Sequence, residues 1–206
     1  MLKAGARLIH RTGWRSIFAL LFCINWLAAC APETKVGPIG DSAAARDVLA
    51  SALEKGPVRA QIFGDPYGLD PARQDVLITS AVADGVQGLK ARFSADPTAY
   101  GARQPRLVVI LNPSTDPPSA RACQSPEQIR TAPAQGELVL LAAFCQGDDV
   151  INAARAVSEV SGPTDQRLKR MLWQTGGVLF PDDYGHTYGV DLIPGINVGI
   201  GGSFGF

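Results

Sequence analysis

The chain has 206 residues, of which 46% are hydrophobic, and it balances 19 Lys+Arg against 19 Asp+Glu. That balance leaves no excess of positive charge, and removal of a basic N-terminal signal would leave the domain mildly acidic, which argues against nucleic acid as a partner, because phosphate binding needs clustered Lys and Arg. Of the two histidines only His186 would remain once an N-terminal signal is removed, which leaves most hydrolytic mechanisms short of their usual base.

The chain opens with a basic stretch carrying Lys3, Arg7, Arg11 and Arg15, and no acidic residue precedes Cys30. Ser16 to Trp26 follows as a mostly apolar run, short of the about 20 residues that a transmembrane helix needs. It fits the apolar core of a removed signal peptide; an uncleaved anchor is the alternative. The run ends in Leu27-Ala28-Ala29-Cys30.

That order of an aliphatic residue, two small residues and a cysteine resembles the lipobox of bacterial lipoproteins. The resemblance covers the first 30 residues. It implies a diacylglycerol on the Cys30 sulfur, cleavage before Cys30, and a membrane partner reached through the acyl chains. Two or more chains give stable anchoring, at about 0.8 kcal/mol per buried methylene. Ala31 stands where inner-membrane lipoproteins often carry Asp, so the resemblance points to the outer membrane, facing the periplasm. The mature chain would then keep 15 Lys+Arg against 19 Asp+Glu, a net charge of −4, with His186 as its one histidine.

Residues 30–41 read as the lipidated cysteine and a flexible tether, with two prolines and two glycines and no core pattern. Residues 42–185 read as one domain, long enough for a single core, and 186–206 as a glycine-rich tail. Asp41 or Ser42 caps a first helix ending near Lys55, where Gly56-Pro57 stops it. Val58 to Phe63 alternates as a strand. Asp70-Pro71 opens a helix whose apolar stripe is Ile78, Val82, Val86, Leu89 and Phe93. Gly85 and Gly88 weaken it and suggest close approach to a sheet.

Leu107 to Leu111 and Leu138 to Cys145 are continuous apolar runs, expected as strands buried on both faces, with a loop through Cys123 and Pro133 between them. Val150 to Val160 suits helix or strand, and the short turn before it favours a hairpin partner. A last helix is expected over about Thr164 to Gln174, stopped by Gly176-Gly177. The fold class expected is α+β, a small mostly antiparallel or mixed sheet of three to four strands with two or three helices packed on it. Phe144-Cys145-Gln146-Gly147 and Leu179-Phe180-Pro181 resemble segments of uncharacterised proteobacterial envelope lipoproteins, a resemblance that carries no activity.

With Cys30 acylated, Cys123 and Cys145 remain to pair in an oxidising periplasm. The bridge would contribute about 3 kcal/mol in the chain-entropy model. A catalytic thiol at Cys145 is the competing reading, and would need His186 within reach. Asp182, Asp183 and His186 could supply oxygen and nitrogen ligands to a metal, although a short acidic loop of this kind is commonly just solvated. Gly201-Gly202-Ser203-Phe204-Gly205 matches a hydrolase elbow by letters, but nothing follows to supply the helix, acid and histidine. The tail alternates Ile196, Val198 and Ile200 with glycines and polar residues, as an interaction strand or as a flexible end.

No cofactor is expected. The reading that follows is a membrane-anchored envelope lipoprotein with a non-catalytic domain that binds an envelope protein or a cell-wall component. The alternatives are a small hydrolase or metal-dependent enzyme using His186, and a carrier of a small ligand or lipid.

Overall fold

The structure is a computed structural model that describes residues 35–96 and 104–182. These belong to the unit Thr34–Phe206; the unit Met1–Glu33 lies outside them. Cys30, the signal segment and residues 183–206 are therefore outside the described residues, as are Asp183 and His186.

Six strands form one mixed sheet: β1 (Lys35–Pro38), β2 (Val58–Phe63), β3 (Phe93–Ser94), β4 (Pro105–Leu111), β5 (Glu137–Gln146) and β6 (Asp149–Glu159). Their spatial order is β1-β6-β5-β4-β2-β3. Strands β4, β5 and β6 run antiparallel in turn, β1 is antiparallel to β6, and β2 is parallel to both β3 and β4. The helices are α1 (Ser42–Leu53), α2 (Pro71–Gly85), α3 (Ser119–Gln124) and α4 (Gln166–Leu179), with a 3-10 turn at Pro126–Gln128.

The expectation of three to four strands and two or three helices is corrected to six strands and four helices among the described residues. The two additional strands are both hidden by shortness. Strand β1 lies inside the segment read as a tether, where it pairs through Val36↔Ala156 and Gly37↔Arg155. Strand β3 contains Phe93, which the helical spacing assigns to the stripe of the second helix. Strands of two or four residues show no period for a sequence pattern to register. The loop expected between β4 and β5 carries α3, and the ambiguous segment from Val150 is strand as far as Glu159, within β6, paired with β5 across the Gly147 turn.

Continuous apolar runs became strands buried on both faces. In β4, Leu107, Val109 and Leu111 enter the core beneath α1, α2 and α4, while Val108 and Ile110 enter a second core against α3. Strand β5 divides likewise: Leu138, Leu140, Ala142 and Phe144 to the first face, Leu141, Ala143 and Cys145 to the second. On the first face Phe180 meets Phe144 edge-on at 4.9 Å and stacks on Phe93 at 6.1 Å between ring centroids.

Helix ends follow the local chemistry. The Asp41 carboxylate accepts from the Ala44 N–H at 3.1 Å, and Asp70 accepts from the Arg73 N–H at 3.2 Å with Pro71 in the first turn. Helix α2 ends at Gly85, so Val86, Leu89 and Phe93 reach the same core from the segment beyond it. Helix α4 does not stop at Gly176-Gly177 but continues to Leu179. The reason is a close crossing. A Cβ at Gly85 would strike the Trp173 carbonyl oxygen, and a Cβ at Gly176 would strike the Val82 carbonyl oxygen. Both glycines let the backbones of α2 and α4 touch, so Gly85 serves a helix rather than the sheet.

Arg46 on α1 ties these elements together. Its guanidinium donates to the Phe180 carbonyl at 3.1 Å and to the Gln87 carbonyl at 2.8 Å, a cation at the C-terminal ends of α4 and α2. The fully buried Asn152 of β6 donates to the Leu179 carbonyl at 2.8 Å and accepts from the Ala153 N–H at 2.9 Å.

Candidate functional site

Cys123 of α3 and Cys145 near the end of β5 form a disulfide, with Cα atoms 5.7 Å apart, within the normal span. Both residues are buried in the second core. Cys145 is thus a structural partner and not an available nucleophile. The bridge sits beside Arg106, whose guanidinium donates to the Cys123 carbonyl at 2.5 Å and to the Gly147 carbonyl at 2.6 Å. Burial pushes the Arg106 pKa below its ordinary value, Asp148 opposes that shift, and Arg59 adds to it.

Of the three metal candidates only Asp182 is described; it follows α4. Among the described residues no group of three or more His, Cys, Asp or Glu could hold a metal. Asp65 and Asp70 have local work: Asp65 accepts from the Tyr67 and Leu69 N–H groups in a turn, and Asp70 caps α2. Among the described residues no helix is long and apolar enough to cross a membrane.

One feature with room for a ligand among the described residues is a cavity of about 340 Å³ between α1 and one end of the sheet. Val48 and Ala52 of α1, Val58 of β2 and Pro105 of β4 give it apolar walls, while Lys55 and Gln146 bring polar groups to it. Its size lies at the lower end of small-ligand sites, which are mostly apolar with a few polar groups for orientation. Asp47 and Ser51 of α1 also line it. Its walls come from α1, β2, β4 and β5, far apart in the chain, and each residue alone reads as an ordinary helix or strand position. The sequence therefore carries no signal for it.

Neither a protein-family model nor a curated protein sequence matches this chain. Among solved structures it is similar to a point-substituted PelC dodecamer from Paraburkholderia phytofirmans, at 9% identity and a TM-score of 0.39, over 71% of this chain and 98% of that one. A second, the PelC dodecamer from the same organism, gives 10% identity and a TM-score of 0.36, over 71% of this chain and 94% of that one. At these scores the likeness carries neither a fold assignment nor a role to this chain.

Proposed function

We propose that the protein is a lipoprotein of the bacterial envelope, acylated at Cys30, whose domain is a non-catalytic binding module facing the periplasm. The observation that carries the reading is the Cys123–Cys145 disulfide, buried in the second core. Such a bridge belongs to an oxidising compartment, the one to which the basic stretch, the short apolar run and Leu27-Ala28-Ala29-Cys30 would deliver the chain. Ala31 favours the outer membrane. Feeding cells an alkyne-tagged palmitate tests the anchor. Label on the wild-type chain, absent from Cys30→Ala, is expected; an unlabelled wild-type chain would refute acylation. The binding role is tested by crosslinking in intact cells and pull-down, where failure to recover a specific partner across growth conditions would count against it.

The cavity beside α1 favours a second reading, a carrier of a small, mostly apolar ligand. Native mass spectrometry of protein purified from the envelope should then show a co-purifying small molecule. That mass should be lost when Ala52→Trp fills the cavity.

A further inference from the structure

On the second face of the sheet, α3 packs over β4, β5 and β6. Along β2 the residues of this face, Arg59, Gln61 and Phe63, are half-buried, with Phe63 against the second core. Arg59 stands directly beside Arg106 in the parallel β2–β4 pair, and beside Ser94 in the β2–β3 pair. Two guanidinium groups on facing positions of neighbouring strands repel each other. Arg106 has its donors engaged by the Cys123 and Gly147 carbonyls, and Asp148 offsets part of its charge. Among the described residues Arg59 has no such provision. Its Nε is buried without a hydrogen-bond partner, and no hydrogen bond or ion pair engages its guanidinium among the described residues.

A buried donor without an acceptor and a like-charge pair both work against the folded state. One bound negative group would relieve the repulsion. An oxyanion over the pair would accept from the terminal Nη groups of Arg59, which are not among its buried atoms, and screen the Arg59–Arg106 repulsion, and the planar guanidinium fork matches carboxylate and phosphate geometry. Gln61, two residues along the same face, places an amide beside that position. We propose that Arg59, supported by Arg106, forms an oxyanion-binding site on the second face of the sheet, for the carboxylate or phosphate group of a small ligand. The site is independent of acylation at Cys30.

The test is calorimetric titration and thermal melting of the full chain with inorganic phosphate and, separately, with succinate, at constant ionic strength set by sodium chloride. Saturable binding of at least one anion is expected, and the stronger of the two identifies the group. Arg59→Gln should weaken it by about tenfold or more, the effect of losing a charge-assisted hydrogen bond. The exposed Arg73→Gln should leave it unchanged. Without anion, Arg59→Gln should melt at or above the wild-type temperature, because the repulsion is gone. Failure of both anions to bind saturably, wild-type binding by Arg59→Gln, or a lower melting temperature of Arg59→Gln without anion would each overturn the proposal.

Discussion

Asp165 shows how much local order one side chain can organise. Its carboxylate accepts from the Arg167 guanidinium at 2.8 Å, from the Ser161 N–H at 3.0 Å and from the Arg167 N–H at 2.9 Å, at the first turn of α4. The Arg167 side chain first, then the two backbone N–H groups, hold its pKa well below the usual carboxylate value. The folded state therefore binds this proton less readily than the unfolded chain does. The stabilisation is complete above the unfolded-chain pKa of about 3.9 and is lost as pH falls through the lower folded-state value. Asp165→Asn keeps a capping oxygen but lacks the charge. Its melting temperature should trail the wild type at pH 6 and approach it as the pH drops below about 4, which pH-dependent thermal melts will check.

The two glycines at the α2–α4 crossing make a second residue-scale prediction. Gly85→Ala and Gly176→Ala should each destabilise by about 1–3 kcal/mol through overpacking of backbone against backbone, as denaturant melts would read. Gly162→Ala, which meets nothing within 4 Å, should be close to neutral. Asn152→Ala leaves the buried end of α4 without its donor, and the expected cost is about 1–3 kcal/mol in the same melts.

Among the elements, β1 and α3 alter the picture most. If residues 30–41 were only a spacer, Val36→Asp would have no consequence for folding. As part of β1, Val36 is half-buried against the first core, and the substitution should cost about 1 kcal/mol or more. Helix α3 has six residues, too few to be stable alone, and its N-cap Pro118 makes no side-chain cap hydrogen bond. What holds it is burial of Ala122 and Cys123, the disulfide, and the Arg106 bond to the Cys123 carbonyl. Replacing both cysteines by serine should cost about 2–4 kcal/mol. Amide exchange should show loss of protection concentrated in 119–129, with the helices of the other face less affected. Uniform loss across both faces would show that the bridge supports the whole sheet.

At the scale of the whole molecule, two unequal layers cover one sheet. Three helices bury the first face and a short helix with a disulfide buries the second, which is why β4 and β5 are apolar at nearly every position. The cavity lies where α1 leaves the end of the sheet incompletely filled. Ala52→Leu should be accommodated there without the usual overpacking cost, leaving the melting temperature unchanged or slightly raised, whereas the same enlargement at the fully buried Ala142 should lower it.

The central strands, the caps at Asp41 and Asp70, the cysteine pair and the helical character of 71–85 were legible in the chain. Each depends on neighbours a few residues away or on a long uniform run. The α4 segment was legible only to Gln174, because a Gly-Gly pair is locally a stop signal. Contact with α2 overrides it, exchanging the weak helical preference of glycine for close backbone packing. The same reason separates the rest. The sequence by itself determined the apolar strands and the capping chemistry, both of which are set by adjacent residues. Only tertiary structure decided that a Pro- and Gly-rich stretch becomes an edge strand, that Phe93 pairs rather than coils, and that Arg59 comes to stand beside Arg106. Those outcomes depend on which distant segment supplies the partner, and no local pattern encodes that.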